Sequence, residues 1–256
     1  MTGFRPSVTA SGRPAGDVTR ALLLDALGTL VELEPPVEPL RRELRERFGV
    51  ELSAAEAGAA LRVEIVFYRA HHDEASDRAA LAGLRERAAG ALRDALPAVC
   101  AALELGSLTE ALLAALRFRP FAEVPEVLRA ARERGVRLVV VSNWDVSLHD
   151  VLEQTGLAPL LDGVVTSAEI GSAKPAGAIF ARGLELARAT AEEALHVGDS
   201  VEHDVAGALA AGIAPLLLVR EGTVPDAPAP PGVRTIATLR PLPELLDEAR
   251  AVSLSP

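Results

Sequence analysis

Five short runs of β-branched and leucine residues, separated by segments of helical periodicity, leave this chain few folds to choose from. The runs are Ala21–Asp25, Val136–Ser142, Gly163–Ser167, Ala194–Asp199 and Ala214–Val219. Each is mostly apolar rather than strictly alternating, as expected of a strand covered on both faces, and such strands belong to parallel sheets. Joined by crossover helices, they predict an α/β fold, a Rossmann-like doubly wound parallel sheet core. One interval breaks the alternation. Residues 34–118 contain no convincing strand but carry two capping-box patterns, Ser53-Ala54-Ala55-Glu56 and Ser107-Leu108-Thr109-Glu110, in which hydroxyl and carboxylate each satisfy a free backbone N–H. Pro35, Pro36 and Pro39 mark the entry to this segment and Arg119-Pro120-Phe121 its exit, ahead of a helix expected over Pro125–Arg134. The expected organisation is a core of residues 18–33 and 119–256 with a helical cap insertion at 34–118. An insertion there lies above the carboxyl ends of the strands, where open α/β sheets bind ligands. Residues 1–17 are polar and rich in Gly, Pro and Ser, without the layout of a signal peptide, and are expected to form a loose leader. Pro225–Pro231 reads as a stiff loop and Leu242–Val252 as a last helix, and no internal repeat is evident.

The net charge of −10 narrows the partners. Arg and Glu interleave in Arg41-Arg42-Glu43-Leu44-Arg45-Glu46-Arg47 as on an exposed helix face, and no basic cluster lacks acid beside it, so nucleic-acid binding is not expected. No apolar run approaches the roughly 20 residues of a membrane span, so no membrane partner is expected. Apolar residues make up 49% of the chain but aromatics only 3%, so the core must be built from Ala, Leu and Val. The single cysteine, Cys100, has Ala and Val neighbours and reads as a buried, inert thiol, which fits a reducing, cytoplasmic location. Nothing in the sequence decides the oligomeric state.

Polar residues gather at the ends of the predicted strands. Asp25 ends the first, Ser142-Asn143 the second, Lys174 follows the third, and Asp199 ends the fourth with Asp204 five residues on. Lys174 is the only lysine; the other 25 of the 26 basic residues are arginine. A lysine ammonium is a compact point charge suited to phosphate, whereas the arginine fork is planar. Each residue alone has a plain reading: Asp25 or Asp199 as a turn former, Ser142 and Asn143 as loop residues, Lys174 as a surface cation, Asp204 as a first-turn helix charge. Together, at successive strand ends on one edge of a sheet, they suit phosphoryl transfer or metal-assisted hydrolysis.

These segments resemble the motifs of the haloacid dehalogenase-like (HAD) hydrolase superfamily, subfamily IA: Asp25-Ala26-Leu27-Gly28-Thr29-Leu30, Ser142-Asn143, Ala173-Lys174-Pro175, and Gly198-Asp199-Ser200 through Asp204, in family order. The resemblance covers about Ala21 to Val219 and implies a Mg²⁺-dependent hydrolase of a small phosphorylated substrate. It implies Asp25 as nucleophile forming an aspartyl phosphate, and Gly28 and Thr29 as a turn whose N–H groups approach phosphate. Ser142 and Asn143 would donate to phosphate, and Lys174 would hold the nucleophile and neutralise charge. Asp25, the Leu27 carbonyl and Asp199 would bind the metal, with Asp204 orienting metal waters or Lys174 from behind. Leu27 departs from the phosphatase pattern, which carries a second Asp there as general acid and base. That departure keeps open a non-catalytic phosphate- and metal-binding module, or other hydrolysis such as dehalogenation. The dehalogenases lack an acidic metal pair, however, and the phosphonoacetaldehyde hydrolases need a cap lysine that this chain does not have.

The other polar residues are expected to be structural. Tyr68, Arg69, His71, His72 and Asp73 read as a solvated helix end, since adjacent His residues do not share a helix face, with a substrate-facing patch or a surrogate acid as the alternative. His149 and His196 lack ligand spacing, and His196, inside a strand, reads as packed core. Trp144 is open between lining a pocket and covering the sheet edge.

Overall fold

The computed structural model describes residues 19–253; the expected leader, 1–17, lies outside the described residues. In chain order the elements begin with β1 (Ala21–Leu24), β2 (Val31–Leu33), α1 (Val37–Phe48), α2 (Ala54–His71), α3 (Arg78–Ala95), α4 (Leu105–Ala115) and β3 (Phe118–Pro120). There follow α5 (Val124–Glu133), β4 (Arg137–Ser142), α6 (Leu148–Gln154), β5 (Gly163–Thr166), the single turn α7 (Ser167–Ile170) and α8 (Gly177–Ala187). The remainder is β6 (Ala194–Gly198), a π-helical turn Val201–Val205 that runs into α9 (Ala206–Ala210), β7 (Ala214–Leu218), β8 (Arg234–Ile236) and α10 (Leu242–Ser253).

All five predicted strands pair in one parallel sheet ordered β5-β4-β1-β6-β7-β8. The chain winds outward from β1 through β4 to β5, then returns to the other side of β1 for β6. That reversal leaves a crevice at the carboxyl ends of β1 and β6. Side chains alternate between two buried faces. Leu22, Leu24, Leu138 and Val140 pack with Leu128, Leu152 and Leu246, whereas Ala21, Leu23, Val139 and Val141 pack with Ile179, Phe180 and Ala208. This double cover is why the strands read as continuous apolar runs.

Helices α1–α4 form the insertion and enclose their own core of Leu40, Leu44, Leu61, Leu92, Leu108 and the buried Cys100. Among the described residues no helix is long and apolar enough to cross a membrane. The Ser53 box forms as expected, with the Ser53 Oγ accepting from the Glu56 N–H and the Glu56 carboxylate accepting from the Ser53 N–H. The second box does not. Glu104 caps α4 instead, accepting from the N–H groups of Gly106 and Ser107, so the helix begins two residues before Ser107. A carboxylate already facing the free amides leaves the Ser107 hydroxyl no capping role.

Three short strands escaped the sequence pattern because three residues are too few to show a period. β2 and β3 form an antiparallel ribbon at the root of the insertion, with Glu32 opposite Arg119 and an ion pair of 3.0 Å between them. β8 extends the main sheet beside β7.

The α8 face shows how close the packing is. Gly183 lies where a Cβ would come 2.7 Å from Val141 Cγ2 and 3.3 Å from Leu23 Cδ1. Helix propensity favours alanine by about 1 kcal/mol, but overpacking a filled core costs about 1–3 kcal/mol. Gly183→Ala should therefore lower the urea midpoint without changing the m-value, by a net destabilisation of about 1 kcal/mol.

Candidate active site

Each strand end delivers one group to the crevice. The β1 ladder continues one residue through the Asp25 N–H, which donates to the Val197 carbonyl at 2.9 Å, and so aims the Asp25 side chain at the carboxyl edge. Ser142 closes β4 and donates from Oγ to Asp25 Oδ1 at 3.0 Å. Lys174 enters from the loop after β5 and donates from Nζ to Asp25 Oδ1 and to Asp204 Oδ1, both at 2.6 Å. Asp204 lies in the π-helical turn after β6 and also faces His196 Nε2 at 2.9 Å. Lys174 and Asp204 are almost wholly buried, and Asp25 nearly so. Asp199 is exposed at the mouth, and one carboxylate oxygen each from Asp25, Asp199 and Asp204 lie within 4.8 Å of one another.

Two glycines make the room. At Gly28, with φ of +81°, a Cβ would fall 2.0 Å from Asp199 Oδ2; at Gly198 it would fall 2.1 Å from Asp204 Cγ. A side chain at either position would displace an acidic residue of the site.

Electrostatics divides the carboxylates. Burial pulls the Lys174 ammonium toward neutrality, but Asp204 and Asp25 outweigh it and hold its pKa above the ordinary value. Burial likewise opposes ionisation of Asp204, and the Lys174 charge with the His196 contact overcomes it, holding that carboxyl well below the usual range. Asp25 is pushed up by burial and by Asp204, against the pull of Lys174. Burial, helped by Asp25 and Asp204, raises Asp199 to about 7. The mouth thus holds more negative charge than Lys174 offsets.

Three residues expected at phosphate make other hydrogen bonds. The Asn143 side chain does not point free at the crevice: its Nδ2 donates to the Lys174 carbonyl at 3.0 Å and its Oδ1 accepts from the Lys174 N–H at 2.6 Å. Asn143 clamps the backbone that presents the ammonium. The Gly28 N–H donates to Val31 O and the Thr29 N–H to Ala26 O, and Thr29 Oγ1 is buried without a partner. The turn that would receive an anion spends those two amides on its own closure.

Several residues were missed in sequence. Arg220, just after β7, donates from Nε to the Gly28 carbonyl at 2.8 Å and from Nη2 to the Thr29 carbonyl at 2.7 Å. It also pairs with Glu123 at 2.8 Å and stacks 3.3 Å from the Phe121 ring centroid. Asp226 accepts from Ser200 Oγ and the Val201 N–H, fixing the start of the π-helical turn. His196 is buried as expected, but it backs Asp204 instead of merely filling core. Arginine in an arginine-rich chain carried no signal, Asp226 depends on a contact with a separate segment, and His196 depends on how the turn after β6 folds back on the strand.

The Tyr68–Asp73 cluster is a joint between cap and core, not a solvated helix end. Tyr68 donates to Asp145 Oδ2 at 2.8 Å, and Ser167 donates to the Asp73 carboxylate. His71 instead stays within its helix, against Phe67. His149 pairs with Glu169. Trp144 does both things left open for it: it is buried against Phe118 at 5.2 Å between ring centroids and lines the cavity under the cap. That cavity, about 480 Å³, also takes in Leu27 and Asn143 from the crevice.

Removing the charge of Asp204 tests the buried network. Asp204→Asn should destabilise the protein by about 3 kcal/mol at neutral pH, the order found when one partner of a buried ion pair is lost. Because the Asp204 pKa is depressed from 3.8, its contribution is present above about pH 4 and is lost as pH falls. Urea unfolding at pH 7 and pH 3 should show the gap between parent and variant shrinking at the lower pH.

Residues 19–212 match the family model described as haloacid dehalogenase-like hydrolase. The bovine (Bos taurus) haloacid dehalogenase-like hydrolase domain-containing protein 3 is 42% identical over 102 residues, 40% of each chain. Pyrimidine 5'-nucleotidase YjjG of Escherichia coli is 34% identical over 149 residues, 56% of this chain and 65% of that one. The matched stretch therefore spans about two fifths of the bovine relative's length and under two thirds of the bacterial one's. The crystal structure of a HAD phosphatase from Thermococcus onnurineus superposes with a TM-score of 0.59 at 24% identity, covering 89% of this chain and 97% of that one. This last likeness speaks for the fold alone. With the model matching well over half of its length, the chain belongs to the haloacid dehalogenase-like hydrolase family.

Proposed function

We propose that this hydrolase is a Mg²⁺-dependent phosphatase of a small phosphorylated molecule, acting through an aspartyl phosphate on Asp25. The observation that carries this is the Asp25–Lys174–Asp204 network, open at Asp199 and facing the cavity under the cap. The name of the nucleotidase relative, a phosphomonoester hydrolase, supports the same reaction class.

The residues fit a hard divalent cation. Asp25 and Asp199 present carboxylate oxygens toward one point, the Leu27 carbonyl lies in the same turn, and Asp199 is poorly ionised until a cation compensates its neighbours. Mg²⁺ bound there would neutralise charge on the transferring group. The protein's own part follows from its hydrogen bonds. Lys174 and Ser142 both hold Asp25 Oδ1, which fixes the carboxylate and, among the described residues, leaves Oδ2 without a hydrogen bond. Asp25 attacks phosphorus as the ester P–O bond breaks and the leaving oxygen departs with the electron pair, taking its proton from solvent water, which regains one from the water that attacks in the next step. Water then attacks the same phosphorus, the P–O bond to Asp25 breaks, and phosphate leaves. Lys174 stays charged throughout and lies against the developing negative charge. Among the described residues the N–H groups of Ala26 and Leu27, directly after Asp25, make no hydrogen bond and are the amides free for phosphate. Asn143 serves by positioning Lys174, and Asp204 by holding its ammonium.

Leu27 lines the cavity and is 41% exposed, so its side chain stands where a leaving group would and offers no proton. An activated ester such as p-nitrophenyl phosphate should be hydrolysed in a Mg²⁺-dependent manner, and alkyl phosphates much more slowly. Leu27→Asp should raise kcat/KM for alkyl esters by about 100-fold while changing the activated ester far less. Equal gains on all esters would overturn the proton-transfer argument. Mg²⁺ and vanadate binding without any turnover, in either form, would leave a binding module instead.

A further inference from the structure

Glu64 is the one carboxyl of the cap that is buried, and it is only 3% exposed on α2. Among the described residues its carboxylate makes no hydrogen bond and no ion pair, although it lines the cavity shared with Leu27 and Asn143. Burial alone pushes it up to about 7, with no cation close enough to pull it back. A buried carboxyl without a partner is costly, so a position that keeps one points to a partner that is not part of the chain.

The surroundings narrow that partner. Tyr68, one helical turn on, has its hydroxyl proton committed to Asp145 Oδ2. Arg85, on the facing helix α3, lines the same cavity and makes no hydrogen bond or ion pair among the described residues. A cationic ligand would meet Arg69 and Arg85 there, and an anionic one would meet Glu64, Asp145 and Asp150. A neutral group with several hydroxyls can donate to the carboxyl and accept from the guanidinium, and about 480 Å³ holds a sugar-sized molecule.

We propose that Glu64 is the specificity residue of the cap, and that the leaving group it reads is a polyhydroxylated alcohol, a sugar or polyol, whose hydroxyl donates to the Glu64 carboxyl. This rests on the phosphomonoester reading of the site. It also places the recognition of the alcohol on α2, apart from the phosphate end at Asp25.

The test is calorimetric titration of Asp25→Asn, which consumes no ester, with glucose phosphate and with butyl phosphate in the presence of Mg²⁺, repeated in Asp25→Asn carrying Glu64→Leu. The parent pair should favour glucose phosphate. Glu64→Leu should weaken glucose phosphate by about 10- to 100-fold, as expected when a site built to bond a hydroxyl loses its partner, and leave butyl phosphate within about twofold. An unchanged thermal midpoint, or a higher one, shows that the loss is not unfolding. Equal weakening of both esters, no weakening of either, or a parent that prefers butyl phosphate would each overturn the proposal. Turnover of p-nitrophenyl phosphate by the unaltered chain separates the two readings. If it is absent while sugar phosphate is bound selectively through Glu64, the hydrolase reading fails and Glu64 remains the residue that selects the alcohol part of a bound ester; if it is present without that selectivity, the reverse holds.

Discussion

An ammonium 2.6 Å from two carboxylates, with almost no solvent, is a costly object to place inside a protein unless every neighbour is arranged to hold it. Much of the site follows from that requirement. Asn143 grips both sides of the Lys174 main chain, so the side chain enters from one direction. His196 shares Oδ1 of Asp204 with Lys174 and the Ser200 N–H donates to Oδ2, and the Lys174 charge together with His196 keeps that carboxylate ionised against its burial. Gly198 is bare because Asp204 needs its space. The strain that is left falls on Asp199 at the mouth, whose ionisation is opposed by burial and by its two acidic neighbours.

The larger architecture was legible because it obeys simple periodicity. Apolar runs buried on both faces gave all five long strands, and the strandless interval gave the helical insertion. What periodicity could not see was short or remote. The ribbon of β2 and β3 and the edge strand β8 are each three residues long. Glu104 took the cap of α4 from Ser107 because a carboxylate can satisfy two amides at once, a competition the four-residue pattern does not describe.

In the site, the residues whose chemistry is rare in this chain were found, and those whose role is relational were not. A lone lysine and acids at strand ends stand out in sequence. The turn of Asn143 toward Lys174 and the joint formed by Tyr68 and Asp145 exist only once distant segments meet, and the support of Asp204 by His196 only once the turn after β6 folds back on its strand. Glu64 gave no sequence signal either, because one carboxylate in a surface-patterned helix looks like any other until the facing helices close over it.

Arg220 ties the segment after β7 to the turn after β1. Its guanidinium ties the carbonyls of Gly28 and Thr29 to Glu123, and it belongs to the segment just past β7. The turn that follows Asp25 is therefore completed by a residue synthesised almost 200 positions later. On the ribosome, where a chain emerges amino end first, the cap can collapse on its own contacts long before this staple exists. Asp25 thus acquires its final setting only after β7 and the segment that follows it have been made.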